Sequence, residues 1–205
     1  MAYLSLFALI FGVHLLAVMS PGPDFVMVLK NALQYNRKTA IYTSLGISMG
    51  IGIHILYSVA GIAYLLQKNQ NIFQIVKILG ALYIIYMGIK TLRSKQQPID
   101  FKSNAGKHLN KSEAIKIGFI TNVLNPKASL FFLSIFSLLI PPNVPAWVLL
   151  GISIMLISVT FLWFALVSVV FTNPVIEKRY ERYEPYILKT FGLVLIGLGL
   201  LIFFE

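Results

Sequence analysis

Ser20-Pro21-Gly22-Pro23-Asp24 interrupts an otherwise apolar stretch of membrane length, and Asn125-Pro126-Lys127-Ala128 interrupts a second one 105 positions later. Proline removes a backbone donor and clashes with the preceding helical turn, so a helix breaks there. In lipid an unpaired backbone group costs several kcal/mol, and a break survives only where protein or a water-filled cavity satisfies it. Ser20 and Asn125 are good N-cap residues, each followed by proline, a favoured first helical residue. Each break is predicted to start a half-helix whose N–H groups and positive dipole end point into the membrane interior, where they attract a carboxylate. Either motif alone reads as a kink in a packed helix. Two breaks at matched positions favour a shared role.

Other segments recur with them. Leu45-Gly46-Ile47-Ser48 returns as Leu150-Gly151-Ile152-Ser153, also 105 positions on, and Lys77-Ile78-Leu79-Gly80 resembles Lys189-Thr190-Phe191-Gly192 at an offset of 112. Two related halves, each with one broken hydrophobic segment, point to a transporter with its substrate site where the breaks meet.

Composition supports a membrane setting. The 205 residues are 58% hydrophobic and only 12% charged, with a mean hydropathy of +0.80. Soluble domains carry about 25% charged residues, so this chain cannot cover itself with a polar surface. Positions 1–23, 39–67 and 128–176 hold no charge. The last run is long enough for two spans of about 20 residues, with Pro141-Pro142-Asn143-Val144-Pro145 as the turn between them. The first run lacks a basic leader and a small-residue cleavage site, and reads as a retained span. The absence of cysteine excludes disulfides, thiolate metal sites and thiol relays. No cofactor or metal is expected.

The expected fold is an all-α integral membrane protein with six transmembrane helices, near 4–29, 40–66, 72–92, 115–140, 146–172 and 187–204. The third and sixth have the shortest charge-free cores, 78–89 and 190–204. One transporter domain covers 1–205, with halves at about 1–95 and 112–205 and a cytoplasmic linker at about 93–114. Loops after spans 1, 3 and 5 carry fourteen Lys and Arg residues. The opposite side carries only Lys68 and Lys77, and Lys127 lies within a span. Basic residues mark the cytoplasmic side, so both termini are predicted outside. Three spans per half is odd, so the halves insert as an inverted repeat with broken helices 1 and 4. The net charge of +10 then marks topology at an anionic membrane face rather than nucleic-acid binding.

Ser20-Pro21-Gly22-Pro23-Asp24-Phe25, the Gly46, Gly50 and Gly52 run ending in His54, Gly80-Ala81-Leu82-Tyr83 with Gly88, and Asn125-Pro126-Lys127-Ala128 together resemble the LysE/RhtB family of amino-acid exporters. The resemblance covers essentially the whole chain, in order. It implies a secondary transporter of the bacterial cytoplasmic membrane that exports amino acids or close derivatives and draws on the proton-motive force.

Eight residues are candidate substrate contacts: Ser20, Pro21, Gly22, Pro23, Asp24, Asn125, Pro126 and Lys127. Asp24 is the only acid placed inside a span. An intramembrane carboxylate is a functional hypothesis by default. It binds the substrate ammonium or carries a proton, or else it is a helix-start charge held by backbone donors and paired with Lys127. Lys127 either contacts the substrate carboxylate, pairs with Asp24 or snorkels to the cytoplasmic face. His54 is a second proton-coupling candidate, with a hydrogen-bonded packing role as the alternative; His14 reads more as packing, and His108 as a solvated loop residue. Gly46, Gly50, Gly52, Gly80 and Gly88 read as helix-packing positions, and Tyr83 and Tyr86 as either cavity lining or packing.

An intramembrane serine enzyme would need a nucleophile–base pair. Ser20 followed by proline reads as a cap, and three scattered histidines fall short of a metal site. A channel of similar architecture remains the other alternative. The expected partners are an amino-acid substrate, protons and the lipid bilayer; homo-oligomerisation is left open.

Overall fold

Long charge-free runs in lipid must satisfy their backbone internally, and helix is the local way to do so. The computed structural model describes residues 3–68, 70–93, 109–141, 143–171 and 174–204, and it is helical throughout with no strand among the described residues. In chain order the helices are α1 (Leu4–Met19), α2 (Pro23–Gln34), α3 (Arg37–Lys68), α4 (Gln70–Leu92), α5 (Lys111–Val123), α6 (Pro126–Leu139), α7 (Ala146–Val170) and α8 (Pro174–Phe203).

Both predicted breaks are present. α1 and α2 meet at a bend of 55°, and α5 and α6 at 59°. One detail differs from expectation. Ser20 does not cap the helix after the first break; it is the C-cap of α1, Gly22 is the N-cap of α2, and Pro23 is its first residue. A residue preceding proline is pushed out of the helical region. That rule excludes Gly22 from a helix starting at Pro21, and the start moves to Pro23. At the second break Asn125 caps α6 as expected, its Oδ1 accepting from the Lys127 backbone N–H at 3.0 Å.

Three described helices are long and apolar enough to cross a membrane, or five if each bent pair is one span. The apolar part of α8, Leu188–Leu201, is shorter. Its 14 residues rise roughly 21 Å at 1.5 Å each, against a hydrocarbon core of about 30 Å. α8 also starts earlier than expected and carries Pro185 within it. Between α6 and α7 the proline-rich segment does turn the chain, with Val144 N–H donating to Pro141 O at 3.3 Å. Most of the linker, 94–108, lies outside the described residues and includes His108.

Tight packing organises the bundle. α3 and α5 cross at Gly46 and Gly118, where a Cβ on Gly46 would overlap the Ile115 carbonyl and one on Gly118 the Thr43 carbonyl. Only glycine lets two backbones approach this closely. α4 packs mainly on α8, where Gly88 and Gly192 face each other. The largest core joins α1, α3, α6 and α7 through Ile10, Ile51, Phe132, Ile135, Ile152 and Leu156. Large residues such as Ile75, Leu79 and Tyr86 on α4 and Leu150, Leu162 and Leu166 on α7 remain exposed, as a lipid-facing surface requires.

Candidate functional site

The two breaks lie against each other. Asp24, in the first turn of α2, is held by two amides from the second break: Asn122 Nδ2 and Asn125 Nδ2 donate to its Oδ2 at 2.9 and 3.0 Å. Asn125 therefore uses both ends of its amide. Its oxygen caps α6, which leaves its nitrogen for Asp24. The second carboxylate oxygen, Asp24 Oδ1, is buried with no partner among the described residues.

Lys127 crosses in the other direction. Its Nζ donates to Ser20 Oγ at 3.1 Å, to Ser20 O at 3.2 Å and to Pro21 O at 3.4 Å. A lysine in the first turn of α6 opposes that helix's dipole. By reaching across, its ammonium instead sits on carbonyls at the C-terminal end of α1, where a cation is favoured. A Cβ on Gly22 would stand 3.3 Å from this Nζ, so glycine leaves the ammonium room. Asp24 was expected to meet the substrate, carry a proton or act as a helix-start charge, and Lys127 to meet the substrate, pair with Asp24 or snorkel. In the structure Asp24 takes side-chain amides of the second break, and Lys127 takes the Ser20 hydroxyl and carbonyls of the first.

Both side chains line a cavity of about 40 Å³ together with Ser20, Asn125, His14 and Thr160; its apolar wall includes Phe25, Phe131, Phe132 and Phe164. That volume holds a few waters. Of the eight predicted contacts, Ser20, Gly22, Asp24, Asn125 and Lys127 line this cavity. Pro21, Pro23 and Pro126 shape the breaks and are not part of its wall.

His54 is fully buried and is not in the cavity wall. Its Nε2 lies 2.9 Å from Asn122 O and its Nδ1 2.8 Å from the Tyr57 hydroxyl, with the ring stacked on Phe132. A carbonyl only accepts, so Nε2 carries a proton. The same Asn122 carbonyl accepts from Asn125 N–H at 2.9 Å. His54 thus secures the turn from which both asparagines reach Asp24. Tyr83 and Tyr86 do not line the cavity: they pack ring to ring, and Tyr86 points outward, 55% exposed.

Asn122, Thr160 and the phenylalanines were missed from sequence. Asn122 and Thr160 carry a signal in hindsight, as polar residues within apolar spans. Both are fully buried. Among the described residues no group of three or more His, Asp or Glu could hold a metal ion.

Two broken helices of an apolar bundle, with oppositely charged side chains at one cavity between them, define the broken-helix class of membrane transporters. The LysE type translocator profile matches residues 15–205, and the chain belongs to that family. It is 31% identical over 199 residues to the threonine efflux protein of Escherichia coli K12, covering 96% of this chain and 97% of that protein. It is 32% identical to the threonine efflux protein of Salmonella typhi, at 96% and 97% coverage. An uncharacterized membrane protein of Haemophilus influenzae is 28% identical over 94% of this chain and 93% of its own length. No solved structure gives a significant match. The protein is an integral bacterial membrane transporter and not an enzyme.

Proposed function

We propose that this transporter exports amino acids from the cytoplasm, holding both charged ends of the zwitterion at the paired breaks. The observation that carries this reading is the placement of Asp24 and Lys127 on one cavity, Asp24 with an oxygen unclaimed by the protein. The substrate ammonium binds Asp24 Oδ1. The substrate carboxylate draws Lys127 Nζ from the Ser20 and Pro21 carbonyls. Lys127 lines the cavity while bonded to Ser20 and Pro21, so substrate loading releases the α1–α6 bridge. Exchange of that bridge for substrate contacts is a physical basis for alternating access. The threonine efflux proteins among its relatives make threonine the first substrate to test.

Protons from the proton-motive force are the proposed coupling ion. Asp24 faces the cavity and is the better-placed carrier; His54 supports it by holding the Asn122 carbonyl. The architecture proposed is six spans in one domain, with α1–α4 and α5–α8 as inverted halves at about 1–95 and 112–205. The order of a broken helix followed by two long ones, taken twice, supports it. The basic residues, fourteen against two, support cytoplasmic placement of the 93–114 linker and both termini outside the inner membrane.

Uptake of labelled threonine into inverted vesicles, with and without an uncoupler, tests the function. Accumulation against a gradient that collapses with the uncoupler is expected. Equal transport of a simple amine and its parent amino acid would refute two-ended recognition.

A further inference from the structure

We infer that His14 reads the substrate side chain, accepting a hydrogen bond at Nδ1 from a hydroxyl, and so tunes this cavity to hydroxylated amino acids. This rests on amino-acid export through the same cavity. His14 sits on α1 ahead of the first break, is 2% exposed and lines the cavity. Its Nε2 lies 2.9 Å from Thr160 Oγ1 and 3.2 Å from Leu156 O. The Thr160 hydroxyl donates its own proton to Leu156 O at 2.9 Å. Thr160 Oγ1 and Leu156 O are therefore both acceptors toward the ring, so Nε2 carries the proton. In the neutral ring, Nδ1 is then a bare acceptor.

No donor among the described residues meets that Nδ1. A buried acceptor left unpaired costs about 1–3 kcal/mol, and the remaining source of a donor is whatever occupies the cavity. The imidazole packs against the adjacent rings of Phe131 and Phe132, at centroid distances of 6.1 and 5.6 Å. The wall nearby is apolar, with Ile51, Phe131, Phe132 and Phe164. Asp24 and Lys127 engage the groups common to all amino acids. His14 is left to distinguish one side chain from another, and a hydroxyl is the smallest donor able to reach it in so small a cavity.

Threonine and valine differ only by hydroxyl against methyl, which isolates this contact. Reconstituted full-length protein should move threonine at least about tenfold faster than valine, the value of one hydrogen bond. His14→Gln keeps an amide nitrogen able to replace Nε2 but leaves no acceptor at the δ position; it should bring the threonine-to-valine ratio near one by lowering threonine transport more than valine transport. His14→Asn keeps a δ acceptor and should preserve the preference. A ratio unchanged in His14→Gln, with both rates lowered alike, would show a packing role and overturn the assignment. Equal wild-type rates for the two substrates would also overturn it while leaving amino-acid export standing. Wild-type failure to move any amino acid would sink both. If neither variant folds, threonine must raise the wild-type unfolding temperature more than valine does at equal concentration; equal shifts reject the His14 contact.

Discussion

Replacing Gly50 by alanine tests how the bundle positions its carboxylate. A Cβ there would lie 2.5 Å from Asn122 Oδ1, 2.9 Å from Asn122 Cβ and 3.0 Å from its Cγ. Comfortable contact between carbons is about 3.5–4.0 Å. The helices cannot separate to make room, because α3 and α5 are in backbone contact one turn away at Gly46 and Gly118. Asn122 must therefore swing and give up its 2.9 Å bond to Asp24. Overpacking costs about 1–3 kcal/mol and a hydrogen bond to a charged group is worth about 1.5–3 kcal/mol. Alanine returns about 0.8–1 kcal/mol of helix propensity. A net loss of about 1.5–5 kcal/mol follows from these terms, with Asn125 still holding Asp24. Gly52→Ala is the control: its Cβ would meet only Ile157 Cδ1, at 3.7 Å, so stability should hold or rise by up to about 1 kcal/mol. Gly46→Ala, which overlaps backbone, should yield little folded protein. Unfolding temperature in detergent and export per folded molecule are the measurements. Gly50→Ala with wild-type values for both, or Gly52→Ala as damaging as Gly50→Ala, would refute the positioning of Asp24 through Asn122.

Asp24→Ala should abolish export at equal membrane abundance, while Asp24→Asn keeps shape and alters the pH dependence of export; normal export and an unchanged pH profile in both variants would make Asp24 structural. Lys127→Ala removes three hydrogen bonds across the breaks and should reduce export more than Pro126→Ala, since the second break is also held by the Asn125 cap and by His54 on Asn122 O; the reverse order would give the half-helix end the larger role. Asn110 and Glu113 form a reciprocal capping box at the start of α5, so Asn110→Ala should lower stability by about 0.5–2 kcal/mol without changing export per folded molecule. With cysteines placed singly at Ser103 and Asn143, an impermeant thiol reagent should label only the latter from outside intact cells.

Charge-free runs and the proline motifs were enough to read an all-helical chain, both breaks and the membrane setting, though not the early start of α8. Helix pairing is local, and lipid leaves the backbone no other option. Even the shift of the α2 start to Pro23 is a local effect, legible in the Gly22-Pro23 pair. Side-chain partners were not legible in this way. Lys127 offered several plausible partners; it lands on the carbonyls ending α1, 107 and 106 positions earlier in the chain. Asn122 stood out only as a polar residue in an apolar span, with no partner indicated; it holds Asp24 because α3 and α5 meet at glycines close enough to bring His54 onto its carbonyl. His14 read from sequence as a packing residue; it lines the cavity, and α7 occupies its Nε2 while its Nδ1 is left buried and unpaired. Which atom of a polar side chain remains available depends on neighbours far away in sequence, and only the packed bundle supplies them.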